Sequence, residues 1–385
     1  MARNSAIILL SSIAVLIVLG LVMLSSTSVW ASEMRNAADP YILVKKQLLW
    51  LCIGSLGAWL LSNLDYTKLQ AAWPYLLGGA CVLLCFCYVP GVRFFANGEY
   101  RWIRLPGMPV VQPSEVAKPI IILSLAAWFA RYQAEARSFL KGFVWPGFLL
   151  GVPALLVLFE RDLGTTMVIG VVGMGLLFVA GTRIWFLLLT AGGAISGLWM
   201  FVQRDPVRLR RITAFLNMDD PEVRRGDGWH TARALEAFSN GGTYGTGLGY
   251  GAEKHGTLPF AHTDFIFAAL GEELGLVCTL LTVLAFVLIA IAGLAISIFA
   301  REFFGKILAA GITMIVVVPG ILNMGVVTGS LPVTGLPLPF LSYGGSNLVF
   351  TLCSVGLLMS VHRRAEFVDV AAMPRTKERK FALKI

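Results

Sequence analysis

The segment Lys254–Leu276, KHGTLPFAHTDFIFAALGEELGL, ends the one long polar stretch of a very apolar chain. It carries an acid, Asp264, to the threshold of the next hydrophobic run. If the chain is helical from Asp264 onward, Ala268, Gly271 and Gly275 share its face, because positions four, seven and eleven residues on return to one side. We expect this small-residue face to pack against a neighbouring helix or a lipid-linked molecule. A solvated aspartate at the start of a tightly packed helix is the simpler alternative.

Composition indicates a polytopic membrane protein. Of 385 residues, 57% are hydrophobic and 14% are charged, against roughly 25% charged in a soluble domain. Ten apolar runs are long enough to cross a bilayer, at about 5–27, 43–63, 75–92, 113–130, 142–159, 163–180, 183–203, 265–299, 304–328 and 338–361. We predict an all-α membrane protein with about ten transmembrane helices, as one domain 1–364 followed by a basic cytoplasmic tail 365–385.

The basic residues of the short connections predict the orientation. They fall in the termini or in even-numbered loops: Arg3, Lys68, Arg131, Arg137, Lys141, Arg183, Arg301, Lys306, Arg363 and Arg364. The positive-inside rule then makes both termini cytoplasmic and the large loop, about 204–262, extracytoplasmic. The net charge of +9 has its simplest explanation in this orientation, so we expect no nucleic-acid partner. The six cysteines lie in apolar runs, which predicts neither a disulfide framework nor a metal site.

Charges that the orientation does not require are candidate functional residues. The third loop, 91–112, carries Arg93, Arg101 and Arg104 beside Trp102. Pro113 then predicts a helix start.

Two further groups of charges lie at predicted helix ends. Glu115 and Lys118 would share one face at the mouth of span four, either as a shielding ion pair or as substrate contacts. Glu160 and Asp162 lie in the tight connection of spans five and six, where they are either solvated or hold the basic groups of the third loop.

The long loop contains a predicted amphipathic helix, Thr231–Phe238, and then a glycine-dense run, residues 241–251. The glycines predict a sharply bent or closely approached backbone, or simply a flexible loop. Their spacing is not that of a dinucleotide-binding motif.

The run 265–300 is longer than one span and contains Glu272 and Glu273. We therefore predict that its first turns belong to an external or cavity-lining helix and that the span itself begins near Leu274, because carboxylates at such depth need a polar cavity or a partner. Asn323, in span nine, is expected to join helices.

A proline-rich loop leads into the last span. Its turn, Ser342-Tyr343-Gly344-Gly345-Ser346, would offer free N–H groups to an anion, or would simply pack tightly.

Together these segments resemble the SEDS family, whose members include FtsW of division, RodA of elongation and a sporulation relative. The resemblance covers nearly the whole chain in order and rests on these motifs: Arg101-Trp102-Ile103, Gln112-Pro113-Ser114-Glu115 with Lys118, Asp162-Leu163-Gly164-Thr165-Thr166, His262-Thr263-Asp264-Phe265, Gly271-Glu272-Glu273-Leu274-Gly275, and Leu336-Pro337-Leu338-Pro339-Phe340 with Ser342-Tyr343-Gly344-Gly345-Ser346. Asn323-Met324-Gly325-Val326 and the Leu-Pro pattern resemble the division members slightly more.

The resemblance implies a ten-helix glycosyltransferase of the bacterial inner membrane that polymerises lipid II into glycan strands. It implies a class B penicillin-binding protein as partner, with other divisome or elongasome membrane proteins. A divalent cation, Mg or Mn, is implied too, without defined ligands, and no organic cofactor. The family's catalytic aspartate corresponds to Asp264. Its substrate-binding residues correspond to Arg101, Trp102, Gln112, Glu115 and Lys118.

The sequence departs from the family pattern at four places. Phe260 replaces an acid, Thr334 replaces a frequent lysine, Arg161 replaces a proline, and His230 closes the segment Gly228-Trp229-His230 where the family has Gly-Tyr-Gln. The last departure puts acceptor binding in doubt.

The chemistry assigns roles that do not depend on the family name. Joining a sugar hydroxyl to an anomeric carbon that carries a lipid diphosphate needs a base and positive charge on the leaving group. We expect Asp264 to be the base and Arg101, Lys118 and Arg210 or Arg211 to hold the diphosphate. His262 and the turn Ser342–Gly345 are further candidate substrate contacts, and Glu115, Glu160, Asp162 and Glu272 would orient the cations. A lipid flippase and a non-catalytic scaffold for the penicillin-binding protein remain alternatives.

Overall fold

The computed structural model describes residues 2–33, 39–96, 99–104, 107, 109–252 and 261–372. In these residues the fold is almost wholly helical. The helices are α1 (Ala2–Glu33), α2 (Ile42–Asn63), α3 (Thr67–Cys85), α4 (Pro113–Arg131), α5 (Trp145–Phe159), α6 (Leu163–Val179), α7 (Ile184–Gln203), α8 (Pro206–Leu216), α9 (Pro221–Arg225), α10 (Trp229–Gly241), α11 (Ile266–Phe299), α12 (Phe303–Val327) and α13 (Gly345–Ala372). A single π-helical turn, Leu140–Val144, precedes α5.

The prediction of about ten spans in an all-α membrane protein is confirmed. Nine helices of the described residues are long and apolar enough to cross a bilayer, and α6 is an apolar helix of 17 residues. Every predicted apolar run coincides with one of these ten helices. The last of them continues to Ala372, beyond the predicted domain end at 364. Most of the predicted tail, from residue 373, lies outside the described residues.

Local sequence explains where several helices begin. Pro113 stands in the first turn of α4, as predicted, because proline has no N–H to lose there. The carboxylate of Asp162 accepts a hydrogen bond from Thr165 N and so caps α6. Asp205 and Asp220 cap α8 and α9, two short helices of the long loop, in the same manner.

The first two spans meet the last span and the loop before it through very close contacts. A Cβ on Gly356 of α13 would lie 2.2 Å from the Ala58 carbonyl oxygen of α2. One on Gly20 of α1 would lie 2.8 Å from Cα of Leu341, in the loop before α13. These glycines let backbones approach as closely as small residues allow between membrane helices.

Helix α11 is broken at Gly275, where φ is 74° and ψ is −172°. The piece before the break, Ile266–Leu274, is buried almost throughout, whereas Leu276 and Val277 face outward. The helix break and the change in burial fall next to Leu274, where the span is predicted to begin, and the start of the membrane itself stays a prediction.

The glycine-dense run covers the small-residue face of α11. A Cβ on Gly271 would lie 2.3 Å from the Phe238 ring of α10, and one on Gly275 would lie 2.4 Å from Gly245 N. The occupant of this face is thus the protein itself and not a lipid-linked molecule. Asp264 is not on the face, because the helix begins only at Ile266, and this part of the prediction is wrong.

Two buried carboxylates hold the glycine-dense run in place. Glu272 Oε1 accepts a hydrogen bond from Ala252 N at 2.8 Å, and Glu273 Oε2 accepts one from Gly249 N at 3.0 Å. Glu273 Oε1 also accepts one from Ser26 Oγ of α1 at 2.7 Å. The two carboxylates therefore join α11 to the end of the long loop.

The third loop forms an antiparallel hairpin that the sequence analysis does not predict. Its strands are β1 (Arg93–Ala96) and β2 (Glu99–Ile103), with Phe94 opposite Trp102. Because side chains alternate along a strand, Arg101 lies on the same face as Glu99 and on the opposite face to Trp102.

We expect Gly275→Ala to destabilise the fold, because a non-glycine residue at this φ and ψ costs ~1–3 kcal/mol and its Cβ would meet the Gly245 backbone. The midpoint of thermal unfolding in detergent should fall. Gly193→Ala is the matched control, since nothing lies within 4 Å of a Cβ there. Equal midpoints for the two variants would contradict this account of the kink.

Candidate functional site

Asp264 lies in the turn that precedes α11, with its side chain partly exposed. The side-chain amide of Asn323, on α12, donates hydrogen bonds to the carbonyl oxygens of Asp264 and Leu336, each at 2.7 Å. A Cβ on Gly335 would lie 3.6 Å from Oδ2 of Asp264. One buried amide thus joins α12, the turn and the loop before α13, and that loop passes beside the carboxylate.

The turn Ser342–Gly345 holds the residues before Asp264 in place through hydrogen bonds. Ser342 Oγ donates to Thr263 O at 2.7 Å and accepts from Leu338 N at 2.8 Å. Tyr343 N donates to His262 O at 2.9 Å, and the rings of His262 and Tyr343 lie 6.3 Å apart. These contacts fix the backbone of the segment His262–Asp264.

The same turn does not offer the free N–H groups that the sequence analysis predicts. The N–H groups of Ser342, Tyr343 and Gly344 donate to Leu338 O, His262 O and Gln47 Oε1, respectively. A Cβ on Gly345 would lie 2.5 Å from the Trp50 indole. The alternative of a tightly packed helix start is therefore favoured, and the anion-binding interpretation of these three N–H groups is wrong.

Two guanidinium groups meet at the connection of α5 and α6. Arg101 Nη2 and Arg208 Nη2 donate to the same acceptor, Arg161 O, at 2.9 and 3.1 Å. Arg161 has a φ of 62°, which is closed to proline. The proline of the family pattern could therefore not adopt the backbone conformation found here.

Asp162 stabilises the connection of α5 and α6 through several contacts. It caps α6, accepts a hydrogen bond from Gln112 Nε2 at 3.2 Å, and lies 3.7 Å from Arg101 Nη1. The prediction that Asp162 holds a basic group of the third loop is confirmed. Gln112 is brought to the same point, next to the start of α4.

The electrostatics of Asp264 reflect these neighbours. The pKa of Asp264 is raised to about 6, mainly by burial, and the negative charge of Asp162 contributes to the increase. Arg101 and Arg211 oppose the shift, because a positive charge favours the ionised carboxylate. The result is a carboxylate that is mostly ionised at pH 7 but more basic than an ordinary aspartate.

Glu115 and Lys118 form the ion pair that their spacing predicts. Lys118 Nζ lies 2.8 Å from Glu115 Oε2, and Asn347 Nδ2 of α13 donates to the same oxygen at 3.1 Å. Both charged side chains are buried, with relative accessibilities of 8% for Lys118 and 4% for Glu115. The pair therefore joins α4 to α13 at the site end of the bundle.

Several predicted site residues lie apart from this arrangement. Trp102 is on the hairpin face opposite Arg101. Arg210 and Arg211 are both exposed, and of the two it is the charge of Arg211 that lowers the pKa of Asp264. Glu272 accepts from the backbone of the glycine-dense run, as described above. That it also orients a basic group stays a prediction.

Glu160 is buried, at 4% relative accessibility, and neither carboxylate oxygen accepts a hydrogen bond from an N–H or O–H group of the described residues. Burial raises the pKa of Glu160 to about 8, the charge of Asp162 adds to the shift, and Arg101 partly offsets it. Glu160 is therefore mostly neutral at pH 7. Asp162, rather than Glu160, supplies the negative charge that holds the arginine.

Buried polar atoms without a partner cluster around Asp264. In the described part of the chain there are six, which belong to five residues: Arg101 Nε, Glu160 Oε1 and Oε2, His230 Nδ1, Asn323 Oδ1 and Thr334 Oγ1. Because buried polar groups are normally satisfied, this concentration of unpaired atoms makes the region a candidate site for a polar ligand.

Three residues of the site were not predicted from the sequence as site residues. Arg208 precedes Arg211 by three positions on α8, so one helix face carries both, and this spacing was a usable signal. Gln47 Nε2 donates to Ser342 O at 3.2 Å, and a glutamine inside an apolar span was also a signal. Asn323 was expected only to join helices; nothing local indicates that its partner is Asp264 O.

The described residues identify no ligand set for the implied divalent cation. No three His, Cys, Asp or Glu side chains among them come together as ligands. Asp162, the carboxylate nearest to the arginines, already accepts from Thr165 and Gln112. The region 253–260, which includes the departure at Phe260, lies outside the described residues.

We expect Glu160→Gln to flatten the pH dependence of stability. The folded pKa of about 8 exceeds the ordinary value of 4.5, so wild-type stability should decline as the pH rises from about 4.5 to about 8. The glutamine variant cannot titrate, and its advantage in thermal midpoint should grow over that interval. The exposed Glu222→Gln is the control, and the same trend in both variants would contradict the burial of a neutral acid.

Comparison with known proteins agrees with this architecture. The family model FTSW_RODA_SPOVE, described as "Cell cycle protein", matches residues 7–366. The "Probable peptidoglycan glycosyltransferase FtsW" of Geobacter sp. (strain M18) is 37% identical over 359 residues, which cover 93% of this chain and 96% of the relative. "Stage V sporulation protein E" of Bacillus subtilis (strain 168) is 37% identical over 355 residues, 91% of this chain and 95% of the relative.

Solved structures share the fold. A chain of the structure "Structural coordination of polymerization and crosslinking by a peptidoglycan synthase complex" has a TM-score of 0.76 and 27% identity, covering 93% of this chain and 97% of that chain. The crystal structure of rod shape determining protein RodA from Thermus thermophilus has a TM-score of 0.66 and 26% identity, covering 93% and 96%. With a family match that spans residues 7–366, the chain belongs to the FtsW/RodA/SpoVE family.

Proposed function

We propose that this protein is a peptidoglycan glycosyltransferase that polymerises lipid II into glycan strands, with Asp264 as the general base. The observation that carries the proposal is the Asp264 carboxylate at one end of the helix bundle. Burial raises its pKa, the positive charges of Arg101 and Arg211 oppose that increase, and the net pKa is about 6. The curated relatives named as probable peptidoglycan glycosyltransferases support it.

Asp264 has the properties that the base of this reaction needs. The 4-hydroxyl of one sugar attacks the anomeric carbon of another, and the hydroxyl proton passes to the carboxylate as the new bond forms. A base with a pKa slightly below the working pH is both ionised and strong enough to accept that proton. Asn323 and Ser342 hold the backbone on which the carboxylate is carried.

The departing lipid diphosphate gains negative charge in the transition state, and the arginines can neutralise it. Arg101 and Arg208 converge on Arg161 O, and Arg211 lies on the same helix as Arg208. Guanidinium groups suit this task because they bind phosphate oxygens in a bidentate manner. Lys118, in contrast, is buried against Glu115, so its role in this proposal is to fix α4 against α13.

The cellular setting follows from the same reasoning. The distribution of lysine and arginine supports a bacterial inner-membrane location with cytoplasmic termini and an extracytoplasmic site. A class B penicillin-binding protein is the proposed partner, because a structural relative belongs to a peptidoglycan synthase complex. A division role is favoured by the curated relatives named FtsW. The divalent cation stays a prediction, and no step above depends on it.

We expect Asp264→Asn to abolish polymerisation of purified lipid II, with a loss of at least about 100-fold, because the amide cannot accept the proton. For the wild type, kcat/KM should fall as the pH drops through about 6, where the carboxylate becomes protonated. Rates measured from pH 5 to 8 check both expectations.

Thermal unfolding of the same Asp264→Asn preparation controls for folding. If the folded variant polymerises normally, Asp264 is not the base. If the wild type moves lipid II across vesicles without polymerising it, the protein is a flippase. If it does neither but activates a penicillin-binding protein, it is a scaffold.

We expect Asp162→Asn to lower polymerisation about tenfold, because Arg101 loses a charged partner worth on the order of 1.5 kcal/mol. Asp220→Asn is the matched control: it also removes the charge of a helix-capping aspartate, but on α9. Equal rates for the two variants would show that the Asp162–Arg101 pair does not position the cation.

A further inference from the structure

Three of the buried polar atoms without a partner belong to uncharged side chains, and these three form a distinct group. They are His230 Nδ1, Asn323 Oδ1 and Thr334 Oγ1, each without a hydrogen-bond partner among the described residues. We call these three side chains the neutral patch. The other such atoms belong to the ionisable groups of Arg101 and Glu160, beside Asp162.

Each member of the neutral patch lies on an element that approaches Asp264 or Phe265. The His230 ring of α10 stacks on Phe265, with centroids 6.0 Å apart and planes at 27°. The Asn323 amide of α12 donates to the backbone oxygen of Asp264. Thr334 precedes Gly335 in the loop before α13, and a Cβ on Gly335 would lie 3.6 Å from Oδ2 of Asp264. Three separate elements therefore bring the neutral patch to the segment that carries this carboxylate.

His230 is kept uncharged in this position. Burial lowers the pKa of His230, and the positive charge of Arg211 lowers it further. A neutral imidazole can both donate and accept a hydrogen bond, as can a hydroxyl, while an amide oxygen accepts. The neutral patch thus offers hydrogen bonds without a net charge.

We propose that the neutral patch binds the uncharged hydroxyl and acetamido groups of the sugar that presents its hydroxyl to Asp264, while the arginines take the diphosphate. This assignment rests on the proposed function. It divides the site into two parts by chemistry: cations for the leaving group, and neutral hydrogen-bonding groups for the acceptor sugar.

The physical reason is the cost of leaving such atoms unsatisfied. A buried hydroxyl or imidazole nitrogen without a partner destabilises the protein by itself, and a bound sugar hydroxyl removes that cost. A site built this way discriminates strongly against a molecule that lacks the matching group, since the protein atoms would then stay unpaired. The neutral patch therefore contributes to acceptor specificity.

The test uses paired substitutions in the full chain, with purified lipid II as the probe. Thr334→Val removes the hydroxyl at nearly constant shape, and Thr334→Ser keeps it. His230→Phe keeps the stacking on Phe265 without ring nitrogens, and His230→Gln restores a hydrogen-bonding side chain. Asn323 is left unchanged, because its amide also holds the Asp264 backbone.

We expect Thr334→Val to raise the thermal midpoint, because an unpartnered buried hydroxyl is lost, and yet to lower kcat/KM about three- to tenfold. His230→Phe should lower kcat/KM similarly. Most of the change should be in KM, since hydrogen bonds to the bound sugar are already made in the ground state. Thr334→Ser and His230→Gln should recover most of the activity.

The possible outcomes separate this proposal from the proposed function. If wild-type protein polymerises lipid II and Asp264→Asn does not, while Thr334→Val and His230→Phe match the wild type in kcat and KM, the neutral patch does not bind sugar. A fall in both stability and activity for Thr334→Val, without recovery in Thr334→Ser, would assign the residue a structural role and overturn the proposal. If His230→Phe does not fold, the Thr334 pair decides alone.

Discussion

The arrangement of the site depends on one buried amide. Asn323 donates from a single nitrogen to the carbonyl oxygens of Asp264 and Leu336, and so ties a turn and a loop to the last turns of helix α12. Neither segment is helical, and backbone outside regular structure is tolerated near a bilayer only where protein or a polar cavity satisfies it. The amide satisfies two such carbonyls and at the same time sets where α11 can begin.

The position of Asp264 sets its pKa through burial and the charges around it. Burial makes ionisation of Asp264 costly, and Asp162 adds to the cost, while Arg101 and Arg211 reduce it. The same aspartate that raises the pKa of Asp264 also holds Arg101 near it. The acid and the arginines are therefore coupled through Asp162, which explains how a carboxylate can be more basic than usual and still ionised at neutral pH.

Local sequence patterns predicted the structural features that depend on residues close together in the chain. The ten apolar runs, the Pro113 helix start, the Glu115–Lys118 pair and the end of the buried piece of α11 near Leu274 all follow from hydropathy, spacing or backbone chemistry. Patterns failed where the partner is distant in sequence. Asp264 was predicted to lie on a face of α11, but that helix begins two residues later, at Ile266. The hairpin of β1 and β2 was not predicted, because its stability comes from cross-strand contacts such as Phe94 with Trp102.

The sequence by itself determined the membrane architecture and indicated Asp264 as the candidate base, because hydrophobic length and the His262-Thr263-Asp264 motif are properties of contiguous residues. Only the tertiary structure decided which arginines face that acid, that Glu160 is a buried neutral group, and that His230, Asn323 and Thr334 leave polar atoms unpaired beside it. These properties depend on burial and on the distance between charges, and both are set when helices far apart in the chain pack together.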